Sequence, residues 1–132
     1  MIAAAALPRR PEGGRVGKDK WQGRRVGAFI FDLDGTLIDS GRDIALSANF
    51  VRGHFGLPEL ALDVVLGYVG DGAALLVRRV LSHDGAAAPD PQVEEGLGVF
   101  REHYGRHCLD HTRLYPGVLE TLRHFRLFPL AV

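Results

Sequence analysis

The chain has 132 residues, 46% of them apolar and 24% charged, with 16 basic and 16 acidic side chains and a formal net charge of zero. That is the size and balance of one ordinary globular domain, and it gives no ground for nucleic acid or an anionic membrane surface as partner. A single cysteine, Cys108, excludes an internal disulfide framework and suits a reducing compartment.

Residues 1–24 are rich in Gly, Pro, Arg and Lys and lack apolar periodicity. They predict a disordered or loosely packed leader that contains Trp21. The apolar start, Met1 to Leu7, lacks a basic region before it and is broken by Pro8, which argues against a secretory signal. No stretch is long enough to span a bilayer, and the expected location is cytoplasmic.

Val26 to Phe31 is apolar on both faces, the pattern of a central strand in a parallel sheet. Asp32 to Ser40 leave it as a turn and short hairpin. A helix is predicted from about Arg42 to Phe55, with Ile44, Ala48, Val51 and Phe55 on one face. Ser40 and Asp43 have the spacing of a capping box at its start, and Gly56 and Pro58 supply its stop. A shorter helix is expected over Glu59–Leu66. Gly67 to Gly72 is a loop, because its three glycines break regular structure. A third helix runs from Ala73 to Ser82 and ends near Gly85. A fourth runs from Pro91 to about Asp110, with Val93, Leu97, Phe100, Tyr104 and Cys108 as its apolar stripe, although Gly96 and Gly98 weaken it. Pro116 introduces a fifth over Val118–Phe125, and Pro129 to Val132 begins a second buried strand. A strand, a run of helices and a second strand predict an α/β fold: an open parallel core with a helical insertion after its first strand.

The chemistry sits in Phe31-Asp32-Leu33-Asp34-Gly35-Thr36-Leu37-Ile38-Asp39-Ser40. In open α/β sheets, reactive groups gather at the carboxyl ends of central strands, which is where Asp32 falls. A carboxylate there can attack a phosphoryl group. Asp34, two residues on, is placed to protonate the leaving alkoxide and then to activate water. Two carboxylates repel a phosphate, so a hard cation is required, and Mg²⁺ takes one or two carboxylates plus phosphate oxygens. Gly35 permits the sharp turn and offers a backbone N–H to a phosphate oxygen. Thr36 can tie the turn through its hydroxyl. A bare Asp-x-Asp-Gly is also a common surface turn; the apolar strand before it and Thr-Leu-Ile-Asp-Ser after it favour the catalytic reading.

This segment resembles motif I of the haloacid dehalogenase-like (HAD) phosphatase superfamily. The nearest branch is the phosphoglycolate phosphatase type, with a helical cap inserted after motif I. Gly67–Gly72 followed by Ala73-Ala74-Leu75-Leu76 resembles the cap's specificity loop and next helix, and Leu114-Tyr115-Pro116-Gly117-Val118 resembles the return to the core. The resemblance spans about residues 26–132. It implies an incomplete Rossmann-like parallel core at 25–40 and 114–132 and a helical cap at 41–113. It implies hydrolysis of a small phosphorylated metabolite, 2-phosphoglycolate in this branch, through an aspartyl-phosphate. Asp32 would be nucleophile and Mg²⁺ ligand; Asp34 would be general acid and base, binding Mg²⁺ through its backbone carbonyl. An Asp at 34 argues against a dehalogenase, and Thr36 favours a phosphatase over a mutase. Gly35, Thr36, Gly70, Asp71 and Gly72 are the candidate substrate-binding positions.

The family's phosphate-binding Ser or Thr, its Lys and its distal acidic motif are expected beyond Val132. The chain is therefore expected to be an incomplete, inactive form that self-associates through unpaired strand edges. The competing reading is a non-catalytic fragment, or a helical module that binds a partner. His103, His107 and His111 recur every four residues beside Cys108, a spacing open to a transition metal, but they read better as a polar stripe on an exposed helix. Asp71 reads equally as a helix cap. Arg78 and Arg79 read as a solvated face, not a nucleic-acid site.

Overall fold

The computed structural model describes the backbone of residues 20–21 and 24–25 and all of residues 26–132. Of the leader expected over 1–24, residues 1–19, 22 and 23 lie outside the described residues. Lys20–Trp21 (β1) and Arg24–Arg25 (β2), at the end of the stretch read as leader, pair antiparallel.

The described residues divide into two compact units. Residues Ile38–Arg113 form one, and the described residues up to Leu37 together with Leu114–Val132 form the other. The second of these is built on Phe29–Ile30 (β3), which pairs in parallel with Leu130–Ala131 (β6), Phe29 opposite Leu130. Phe29 N–H donates to the Pro129 carbonyl and Phe31 N–H to the Ala131 carbonyl, both at 3.0 Å. The regular strand is shorter than the Val26–Phe31 run predicts, and Ile30 is 83% exposed rather than buried on both faces. Among the described residues, β3 has a partner on one side only. The Phe29 ring meets Phe125 and Phe128 at centroid distances of 4.5 and 5.2 Å. That aromatic contact fastens the helix Val118–His124 (α5) and the turn after it to the strand pair.

The helical unit has its own core. Gly41–His54 (α1), Leu62–Leu66 (α2), Ala73–Leu81 (α3) and Asp90–His107 (α4) enclose Ile44, Ala48, Val51, Val65, Val77, Val80, Val93 and Phe100. Burying each of the Val, Ile and Phe side chains contributes roughly 1.5–3 kcal/mol. Ile38–Asp39 (β4) pairs with Arg113–Leu114 (β5) where the chain enters and leaves this unit, so the hairpin expected after Asp32 is replaced by a long-range pair.

Helix α1 ends in a Schellman arrangement. Gly56, at φ +69°, sends its N–H to Gly53 O, and Leu57 N–H reaches Arg52 O. Its start differs from the capping box. Ser40 makes no side-chain cap bond, and Asp43 turns instead to residues far along the chain, as described below. Helix α2 starts three residues later than predicted. The Asn49 side-chain amide accepts from Leu60 N–H and donates to Leu60 O, both at 2.9 Å, and so holds Leu60 extended. Arg52, wholly buried, donates to the carbonyls of Pro58 and Val80 and to Asp84 at 2.8 Å. With those partners in place, its charge is satisfied inside the unit.

Gly96, which weakens α4 by local propensity, is required by packing. A Cβ there would stand 3.0 Å from Val77 Cγ1 and 3.2 Å from Leu81 and Val51 side-chain carbons. Here α1 and α3 approach α4 over a missing side chain. Gly96→Val is expected to destabilise the protein by roughly 1–3 kcal/mol through overpacking. Gly98→Val, at a position with nothing within 4 Å, serves as the control in a urea titration. Equal midpoints for the two variants would refute the packing role.

Candidate active site

Asp32 follows β3 directly, and the chain then turns. Thr36 N–H and Leu37 N–H both donate to Leu33 O, at 3.2 and 2.9 Å. Gly35 has φ +76°, a conformation that a side chain resists, so the turn needs glycine there. Leu37 is buried and its carbonyl accepts from Tyr115 N–H at 3.1 Å, which pins the far end of the turn. The turn is thus held by its backbone; among the described residues, the Thr36 hydroxyl makes no part of the tie expected of it. Asp32, Asp34, Gly35 and Thr36 are all exposed on one continuous segment.

Asp71 and its flanking glycines belong to the helical unit. Gly70 and Gly72 have φ +130° and +88°. Asp71 does not cap α3; its carboxylate pairs with Arg79 at 2.7 Å. Arg79 also donates to Tyr68 O at 3.0 Å, and Arg78 pairs with Asp90 at 2.7 Å. The two arginines read as a solvated face are therefore engaged.

The three histidines do separate work, and among the described residues no group of three or more His, Cys, Asp or Glu is placed to hold a metal ion. His103 meets Ser47 Oγ at 3.0 Å and stacks on Phe50. Ser47 gives its hydroxyl proton to Asp43 O, so His103 Nδ1–H is the donor to Ser47. Burial, with the neighbouring His107 and Arg106 charges, holds the His103 imidazole below its ordinary pKa against the pull of Asp110. His107 pairs with Asp110 at 2.8 Å. His111 belongs to Asp43. A cavity of about 640 Å³ opens between α1 and α4, lined by Phe50, His54, His103 and His107 among others, and none of the motif residues borders it.

Asp43 is the most heavily bonded carboxylate described. It accepts from His111 N–H, His111 Nδ1–H, Thr112 N–H and the Thr112 hydroxyl, at 2.8–3.0 Å. Burial alone would raise its pKa; these bonds outweigh burial and hold it at about 2. It latches the first turn of α1 to the segment that closes the unit. Neither this latch nor the buried Arg52 shows in local sequence patterns; an uncompensated charge on an apolar helical face is the only hint.

Residues 29–128 match the sequence profile of the family described as haloacid dehalogenase-like hydrolase. The chain belongs to that family. Among its haloacid dehalogenase-like relatives, a phosphoglycolate phosphatase from Chromobacterium violaceum is 43% identical over 108 residues, 81% of this chain and 49% of its own length. One from Thiobacillus denitrificans is 35% identical over 106 residues, 80% of this chain and 47% of its own. A solved structure of a predicted phosphoglycolate phosphatase from Haemophilus somnus superposes with a TM-score of 0.71 at 30% identity, over 79% of this chain and 49% of that one. The chain spans about half the length of the curated relatives it matches. The α/β fold with a parallel strand pair and several helices agrees with these hydrolases. No helix among the described residues is long and apolar enough to cross a membrane.

Proposed function

We propose that this chain supplies the nucleophile and the proton donor of a cytoplasmic, Mg²⁺-dependent phosphomonoester hydrolase acting on 2-phosphoglycolate. The observation that carries this reading is the glycine-bearing turn after β3, which holds two exposed carboxylates two residues apart in a haloacid dehalogenase-like chain. The relatives' shared name supports the substrate.

In this reading the Asp32 carboxylate attacks phosphorus, and the bond from phosphorus to the substrate alkoxide breaks. Asp34 gives that alkoxide its proton, then takes one from the water that attacks the aspartyl-phosphate. Phosphate leaves and Asp32 is restored. The donors present fit Mg²⁺, which accepts hard oxygens and needs only one or two protein carboxylates. Asp32 and the Asp34 backbone carbonyl would hold it, and when bound it supplies positive charge that offsets the phosphate. Gly35 N–H, Thr36 and the Gly70–Gly72 loop are the proposed substrate contacts.

The test joins residues 26–132 to the half of the Chromobacterium violaceum relative that this chain does not match. Phosphate release from 2-phosphoglycolate and from an aryl phosphate is then followed with Mg²⁺ or EDTA. Expected is turnover that requires Mg²⁺ and favours 2-phosphoglycolate. A folded protein with no turnover on either substrate would overturn the reading.

A further inference from the structure

The loop between α2 and α3 is fastened back onto the helix that follows it. One arginine does most of this. Arg79 Nη1 donates to Tyr68 O at 3.0 Å on the near side of the loop, and Nη2 pairs with Asp71 Oδ2 at 2.7 Å on the far side. The Tyr68 hydroxyl meets His83 Nδ1 at 2.9 Å, just past the end of α3, and anchors the same residue a second time. Between these anchors lie Val69 and Gly70, both exposed. Gly70 and Gly72 both have positive φ, conformations glycine enters at no steric cost and leaves as easily. Glycines alone would leave such a loop several shapes of similar energy. A planar guanidinium bonded at both ends selects one.

We propose that Arg79 is a positioning residue that fixes the Tyr68–Gly72 loop in a single conformation and neutralises Asp71. The second effect bears on substrate class. An unpaired carboxylate at the loop would repel a phosphorylated acid, whereas one paired to Arg79 leaves the exposed tip without net charge. The loop then tolerates a substrate that carries a carboxylate besides its phosphate. This consequence rests on the phosphatase reading above; the clamp itself does not.

The experiment compares Arg79→Met, Arg79→Lys and Asp71→Asn with the parent. Amide hydrogen exchange over residues 68–72 is measured in the full chain, and KM and kcat in the joined protein described above. Arg79→Met is expected to speed exchange at Tyr68 and Val69, whose N–H groups donate to Val65 O and Leu66 O, by about tenfold or more, while the core amides of α1 keep their protection. Arg79→Lys, which keeps the charge but not the fork, should restore part of the protection. KM for 2-phosphoglycolate should rise several-fold in Arg79→Met, with kcat and the KM for an aryl phosphate, which has no carboxylate, moving less. Adding Asp71→Asn to Arg79→Met should bring that KM back toward the parent, because the exposed charge is gone. Unchanged loop exchange in Arg79→Met, with α1 still protected, would overturn the clamp. Faster exchange with equal KM changes on both substrates would overturn the charge argument. If the parent turns over neither substrate, the phosphatase reading falls while the exchange result still decides the clamp.

Discussion

Asp32→Asn, in the joined protein, is expected to lower Mg²⁺-dependent phosphate release by at least about 10³-fold, or about 4 kcal/mol of barrier. Asparagine keeps the size and polarity of the side chain but is not a nucleophile, so no aspartyl-phosphate forms. Asp34→Asn should act differently. It removes the proton donor, worth roughly 10²–10⁴-fold for an alkoxide leaving group. It should cost much less on an aryl phosphate, whose leaving group needs little protonation. Both residues lie on one short turn, so a shared folding defect would harm both substrates alike. Loss of that contrast, or Asp32→Asn turnover within tenfold of the parent, would remove Asp32 and Asp34 from these roles. The backbone of the turn is held by Leu33 O, Gly35 and Leu37. Asp32→Asn should therefore leave the melting temperature nearly unchanged.

Asp43→Ala should cost about 3–5 kcal/mol of stability, since it removes a buried carboxylate and leaves the half-buried donors of His111 and Thr112 without their acceptor. The same residue predicts an acid limb. Its folded pKa is about 2, below the unfolded value of 3.8, so folding favours the deprotonated carboxylate. The stability this contributes, on the order of 2 kcal/mol, is fully present above about pH 4 and is lost as pH falls from there through 2. Urea midpoints at pH 7, 4 and 2.5 test this. The parent should lose stability over that range more steeply than Asp43→Asn, which has no proton to gain. Parallel acid limbs would show that Asp43 is not the group responsible. The site at Asp32 lies outside this network, so its chemistry and this stability loss are separable by assay.

The pattern of what could be read in advance follows the range of the interactions. Helix α1 was legible almost to the residue, because Ile44, Ala48 and Val51 keep strict periodicity and Gly56 supplies a local stop. The strand-then-turn at Asp32 was legible for the same reason: its apolar run, carboxylate pair and glycine are contiguous. The spacing of Asp43 from Ser40 imitates a capping box, while its true partners are 68 and 69 residues away. Gly96 looked like a flaw because propensity reports the cost to its own helix, not the approach of Val51 and Val77. The late start of α2 depends on Asn49, which holds Leu60 from eleven residues earlier in the chain. Arg79 looked solvated because its partners, Asp71 and Tyr68, become neighbours only once the loop turns back. Nothing in spacing alone carries such information.

The pairing of Phe29 with Leu130 also has a kinetic side. Two strands separated by roughly a hundred residues meet at a closure cost of about 4 kcal/mol. The intervening helices pack locally, and β4 meets β5 at their base. Once they have formed, the open stretch shrinks to about a quarter of that length, and the cost falls by about 1.2 kcal/mol, two halvings of the loop. The helical insertion is then a step on the path to the strand pair as well as a part of the finished protein. Pulse-labelled exchange during refolding should protect α1 and α4 amides before that of Phe31. Simultaneous protection would mean that the strands do not wait for the helices.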